Sequence, residues 1–249
     1  MSVPLSDPAY RRNIDPLELY ASAIDTSDYV AALAPLIRQA VPEVVRLLDV
    51  GAGGGQLGMA IHDAARSWTA IEPSLTMRAR LVKLAHPPRV IAAGWEQAEV
   101  THRHDTVLAA TMPAFFDQPE AFLARCREWA RTIVWVVPAH AGPKRLCFAG
   151  CLPREWHRED EMPGIDIVMR GLSPASRPVH TAFADWTFTG VVPDLEELSA
   201  YLADRLGWSS SDERREQLTA HLERQAKRQG PSFRLDIPRT SAVLVWGHQ

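Results

Sequence analysis

The chain has 249 residues, 46% hydrophobic and 23% charged, with 27 Lys and Arg against 30 Asp and Glu for a formal net charge of −3. That balance belongs to a globular protein long enough for one α/β domain with additions. It excludes a general electrostatic grip on phosphate backbones or anionic lipid, so neither nucleic acid nor a membrane is an expected partner.

The first predicted elements are helices over residues 16–24 and 28–40, the second with Ser27 or Asp28 as N-cap and a kink at Pro35. Together residues 1–45 read as a helical flank or lid. From residue 46 short apolar runs alternate with helical stretches: "RLLDV", "QLGMAIHDAA", "WTAIE", "LTMRARLVKLA", "RVIAA", "DTVLAA", "PEAFLARCREWA" and "TIVWVV". Runs that are apolar throughout suit strands buried on both faces, and helices between them imply a parallel sheet with right-handed crossovers. Five strands are therefore expected by residue 137. Residues 138–182, rich in Pro, Gly, Arg and His and without a sustained period, read as an insertion over the sheet edge. Residues 183–249 then supply a strand "DWTFTG", helices "DLEELSAYLADRLG" and "SDERREQLTAHLERQAKRQ", and a last strand "SAVLVWG". The second of those helices carries Leu218 and Leu222 on one stripe, and it reads as a cover for the active-site mouth or as a homodimer surface.

Between the first strand and the next helix lies "DVGAGGGQ". A strand, a glycine-rich turn and a helix place backbone N–H groups beside a ligand where a Cβ would collide. The dinucleotide fingerprint GxGxxG fails, because Gln56 stands three places after Gly53. The phosphate-binding Walker loop fails as well, since no Lys followed by Ser or Thr closes the turn. What is present is DxGxGxG from Asp49 through Gly51, Gly53 and Gly55, then Glu72 at the end of the second strand, then "EPSLTM". On these residues the chain resembles the class I S-adenosylmethionine-dependent methyltransferases.

The resemblance covers residues 46–137 well and the last two strands loosely. It implies a doubly wound, mostly parallel seven-stranded α/β sheet of the Rossmann-like methyltransferase type, with one strand antiparallel. It also implies a single domain over 1–249, with 46–137 as cofactor core, and S-adenosylmethionine as cofactor. Gly51, Ala52 and Gly53 would lie against the methionine moiety, and Asp49 would order the turn or meet the cofactor's amino group. Glu72 would accept the ribose hydroxyls, Pro73 would follow it at the site, and Met77 would pack on the adenine. After the third strand, Glu96 would reach the adenine amino group and Trp95 would stack on the ring, unless it packs as an edge aromatic. Ala110 would close the site at the end of the fourth strand.

Methyl transfer is an in-line displacement that depends on orientation and needs a base only where the acceptor is protonated. The catalytic assignment therefore falls to whatever crowns the carboxyl edge of the sheet. Thr111, Met112, Phe115 and Phe116 form an apolar rim or pack beneath the next helix, and the signature of enzymes that methylate adenine bases is absent there. His140, just after the fifth strand, is the candidate base or acceptor contact, against the plainer reading of a solvated loop histidine.

Cys126, Cys147 and Cys151 form neither a disulfide framework nor a CxxC motif and read as small buried hydrophobes. The run "WHREDE", with Glu155, His157, Glu159, Asp160 and Glu161, reads as a solvated face, and no metal site is expected. With no apolar run of signal-peptide or membrane-spanning length, a cytoplasmic location is the expectation. The expected activity is methyl transfer to an O, N or C nucleophile of a small molecule. Its rivals are the same chemistry on RNA or protein, and a non-catalytic partner subunit that binds the cofactor.

Overall fold

The structure is a computed structural model that describes residues 14–62, 66–111, 116–140, 148–157 and 162–247. The five expected strands form as β1 (Arg46–Val50), β2 (Ser67–Ile71), β3 (Arg89–Ile91), β4 (Thr106–Ala110) and β5 (Thr132–Pro138). All pair in parallel, in the order β3-β2-β1-β4-β5. The sheet continues with β6 (His180–Val192), β7 (Lys227–Gln229) and β8 (Ser232–Trp246). β8 inserts antiparallel between β5 and β6, and β7 pairs with β8, so the sheet has eight strands.

The uniform apolarity of the strands is explained by burial on both sides. Along β1, β4 and β5 alternate residues enter two separate cores: Leu47, Leu108, Val134 and Val136 join one, while Leu48, Val107, Ile133 and Trp135 join the other. The first core is covered by α1 (Pro16–Thr26), α2 (Tyr29–Ala40), α3 (Gln56–Ile61), α8 (Leu195–Arg205) and α9 (Arg214–Gln225). On the second core lie α5 (Pro119–Trp129) and α7 (Gly164–Gly171). Two further helices are α4 (Leu75–Leu81), which follows β2, and the single turn α6 (Arg154–His157). Among the described residues no helix is long and apolar enough to cross a membrane.

Several expectations need correction. The strand read at 185–190 begins at His180, inside the presumed insertion, and that insertion contains α6 and α7. The last strand starts at Ser232, not 241. Pro238 argues against a strand from sequence, but β8 pairs with β5 only over 241–246, so Pro238 has no strand partner on that side among the described residues. The helix expected through "AKRQ" stops at Gln225; Lys227–Gln229 turn back on β8 through Gly230, at φ +60°, and Pro231. Leu218 and Leu222 are fully buried in the first core, which makes α9 a packed cover.

Ser27 and Asp28 also act differently from simple caps. Asp28 occupies the N-cap position of α2 without a capping bond, and instead accepts from the Thr187 N–H at 2.6 Å. Ser27 Oγ accepts from the Thr189 N–H at 2.8 Å, and Thr26 Oγ1 donates to the Thr189 carbonyl at 2.5 Å. The junction between the two N-terminal helices thus satisfies part of the free edge of β6 and holds α1 at the sheet's end. Pro35 is accommodated inside α2.

Phe122, wholly buried on α5 against Trp95 and Trp135, tests this layering. Phe122→Ala is expected to lower stability by about 3–5 kcal/mol, read from the denaturant midpoint at unchanged slope.

Candidate cofactor site

The turn after β1 has Gly51 at φ +66°, Gly53 at +56° and Gly55 at +79°. These left-handed conformations cost glycine little and other residues more. A Cβ on Gly53 would meet nothing within 4 Å, so its backbone conformation demands glycine and the space above it is open. Gly58 in α3 is required for the opposite reason: a Cβ there would lie 2.2 Å from Asp49 Oδ2 and 2.8 Å from the Trp68 ring.

Glu72, 2% exposed, fixes the turn from the neighbouring strand. Its Oε2 accepts from the Gly53 N–H and its Oε1 from the Ser74 N–H, both at 2.8 Å. Ser74 in turn caps α4, its Oγ accepting from the Met77 N–H at 3.3 Å, and Met77 is buried in the cleft wall. The spaced acid, Ser and Met of "EPSLTM" therefore resolve into a tie to the glycine turn, a helix cap and a wall residue.

The resulting cleft brings together Asp49, Gly51, Ala52, Gly53, Met77 and Ala110. Glu72, expected to accept the ribose hydroxyls, is not among the residues that line the cleft, and both its carboxylate oxygens accept from backbone N–H groups instead. Pro73, Trp95 and Glu96 are not brought to the cleft. Pro73 is exposed and its carbonyl accepts from Arg78; Glu96 is exposed; Trp95 packs edge to face on Phe122 in the second core, at 5.2 Å between centroids. That is the packing alternative for this tryptophan.

His140 is half-buried outside the cleft lining, with Nδ1 3.0 Å from the Thr240 carbonyl and 3.2 Å from its N–H. Burial, with a smaller contribution from Arg239, holds its imidazole below the usual range. Phe116 is buried in the second core, as the packing reading of the rim has it, while Thr111 lines the cleft. Met112, Phe115, Cys147, Glu159, Asp160 and Glu161 lie outside the described residues. Cys126 is fully buried, and desolvation raises its thiol; Cys151 Sγ donates to the Phe148 carbonyl. Among the described residues no group of three His, Cys, Asp or Glu side chains could hold a metal.

The residues that sequence reasoning missed come from the N-terminal helices. Tyr20, Ala21 and Ile24 of α1 and Tyr29 of α2 line the cleft opposite the glycine turn. A helical flank was legible, but nothing in its period says which side chains face a site made by residues 20 to 90 positions later. Polar contacts clamp α1 in place. Arg80 of α4 pairs with Glu18 at 2.5 Å and with Asp25, Thr76 Oγ1 donates to Asp15 at 2.9 Å, and Gln56 Nε2 donates to Asp25 at 2.6 Å. At the far end Thr111 has φ +54°, which is strained for a β-branched residue and marks the end of β4 as a site position.

Asp49 carries the strongest electrostatic signal. It is 3% exposed, and the donor that faces it among the described residues is the Trp68 indole, without good hydrogen-bond geometry to Oδ2. Burial first and the Glu72 carboxylate second push its carboxyl up to about 8, with the Trp68 indole opposing them. A buried acid in this state calls for a cation or donor from a ligand. The ammonium of the zwitterionic amino-acid end of S-adenosylmethionine fits that demand, and the open space over Gly53 admits it.

No protein-family profile and no curated protein matches the chain. Solved structures do. The chain is similar to a candidate type II methyltransferase from Anaeromyxobacter dehalogenans, with a TM-score of 0.53 and 16% identity over 87% of this chain and 96% of that one. It also aligns with a candidate methyltransferase from Bacillus halodurans C-125, at TM-score 0.49 and 13% identity over 86% and 96% of the two chains. A third similar structure is the plantazolicin methyltransferase BpumL in complex with SAH, at 0.39 and 12% over 96% and 88%. The first likeness establishes the fold: a Rossmann-like, mostly parallel sheet with helices on both faces, as in that structure.

Two measurements test this site. Glu72→Ala strips the acceptor from two backbone N–H groups and is expected to destabilise the free protein by about 1–3 kcal/mol in chemical denaturation. Asp49 has a folded value above its unfolded one, so the folded state binds the extra proton. Its contribution is therefore present at low pH and is lost as pH rises from about 4 to about 8. Urea titrations should show Asp49→Asn gaining on the wild type across that window; a difference independent of pH would refute the assignment.

Proposed function

We propose that the protein transfers a methyl group from S-adenosylmethionine to an O, N or C nucleophile of a small molecule. The observation that carries this reading is the cleft itself. A buried Asp49 carboxyl, faced by the Trp68 indole alone among the donors given for it, and an open, positive-φ glycine turn meet there at the carboxyl end of a parallel sheet.

When bound, the cofactor supplies an electrophilic methyl on a sulfonium. The protein's own residues would orient and shield. The glycine turn offers backbone donors and close approach, Glu72 keeps that turn in register with β2, Asp49 holds the ammonium, and Met77 supplies an apolar wall for the base. Ala110 and Thr111 mark the end of β4, where an acceptor would approach. Helices α1 and α2 exclude water from the same space. Orientation of this kind can account for most of the acceleration, with effective molarities of roughly 10⁵–10⁸ M in good intramolecular cases. A small acceptor is favoured because the chain roofs its own cleft with α1 and is mildly acidic.

Isothermal titration tests the reading: heat at micromolar concentration is expected with S-adenosylmethionine and S-adenosylhomocysteine, and none with NAD. Folded protein silent with both sulfur nucleosides would remove it. Arg80→Gln should loosen α1, seen as faster hydrogen exchange over residues 16–26 with little change in global stability, because half-exposed ion pairs contribute about 0–1 kcal/mol.

A further inference from the structure

The outer edge of the sheet is covered along only part of its length. β6 is the last strand in the order, and among the described residues no strand pairs with its outer side. The N–H and C=O of one strand residue point to the same side, and successive residues alternate. The Thr187 and Thr189 N–H groups point outward, to Asp28 and Ser27, so those of Thr181, Phe183 and Asp185 point outward as well. All three of these residues are exposed, Phe183 at 57%.

The open stretch has definite ends. Beyond it Thr187 and Thr189 are taken by the α1–α2 junction, and before it the Val179 N–H turns inward to the Val245 carbonyl at 2.8 Å. An exposed edge is a template for one more strand, which proteins blunt with Lys, Pro, a bulge or a cover. Residues 180–186, "HTAFADW", hold neither Lys nor Pro, and the cover stops at Thr187.

This stretch is complementary to itself. In antiparallel pairing about a two-fold axis at Phe183, Thr181 meets Asp185 of the second copy and the two Phe183 rings meet each other. Every outward residue then exchanges both of its backbone hydrogen bonds, the Thr181 hydroxyl can donate to the carboxylate opposite, and the rings cover one another. Ala182 stands opposite Ala184 on the other face, where neither obstructs approach. An axis at Ala182 would call on the Val179 N–H, which is already used, and one at Ala184 on the Thr187 N–H, which is bound to Asp28. An axis at Asp185 would set two carboxylates face to face.

We propose that residues 181–185 of β6 are the interface of a homodimer, in which two copies of this chain join edge to edge about Phe183 into one continuous sheet. β6 pairs with β8 through its other side, so a change at Phe183 leaves the fold's own ladder intact.

Sedimentation velocity tests the interface. Between about 1 and about 200 μM the wild type is expected to shift from monomer to dimer, since so short a contact gives concentration-dependent association. Phe183→Lys puts like charges across the axis and should raise the dissociation constant by more than about 10-fold, with an unchanged melting temperature at the lowest concentration. Cross-linking reads the register and decides the matter should Phe183→Lys fail to fold. Oxidised Phe183→Cys should form covalent dimers, because directly opposed Cα atoms about 5.5 Å apart suit a disulfide. Wild type and Asp185→Cys should not. A wild type that stays monomeric, a dimer that survives Phe183→Lys and so uses another face, or Asp185→Cys cross-linking as readily as Phe183→Cys would each overturn the proposal.

Discussion

The Glu72 carboxylate is the constraint on which the site depends. It accepts one backbone N–H from the glycine turn and one from the start of α4, joining two crossover connections that the sheet alone would leave independent. Both bonds are charge-assisted and partly buried, which favours them over exchange for water. With this link the turn after β1 and the cap of α4 form one rigid rim, and the cleft acquires a defined floor and wall. The same residue makes the site electrostatically tense. Glu72 adds its charge to the burial that already disfavours ionised Asp49, so an acid is stored where a cationic ligand would release the strain.

Opposite that rim, the N-terminal helices do two jobs with two faces. One face of the α1–α2 pair packs aromatic rings on the sheet's end: Tyr20 stacks on Phe188 and Tyr29 meets Trp186. The Thr26-Ser27-Asp28 junction satisfies backbone groups on the edge of β6. The other face carries Glu18 and Asp25 to Arg80, and Asp15 to Thr76. Apolar burial thus anchors the pair to the sheet, while polar, half-exposed contacts set its position over α4.

Much of the sheet was legible because its strands are buried on both faces and so read as continuous apolar runs, as "TIVWVV" and "DTVLAA" do. The glycine turn, Glu72 and Met77 were legible for a related reason: each acts within one βα connection, at a spacing set by local geometry. Positions whose surroundings come from distant segments were less legible. Pro238 sits in a strand where no described strand pairs with it on the β5 side, and Lys227–Gln229 form a strand because Gly230 and Pro231 turn them back on β8. Trp95 looks like a stacking ring in sequence and is a core residue, because Phe122, 27 positions later, supplies the surface it meets. His140 sits at the right end of a strand, yet Thr240, 100 positions away, ties its ring outside the cleft lining.

The sequence by itself determined the parallel core, the conformation of the glycine turn and the acid that holds it, since these follow from short-range sterics, apolar periodicity and the spacing of donors and acceptors along one βα unit. Tertiary packing alone brought Tyr20 and Tyr29 into the cleft that the glycine turn lines, buried Asp49 beside the Trp68 indole and the Glu72 charge, and pinned α1 through Arg80. Those facts depend on how distant segments pack, and a hydroxyl or carboxyl is satisfied or left wanting by neighbours its own stretch of chain does not contain.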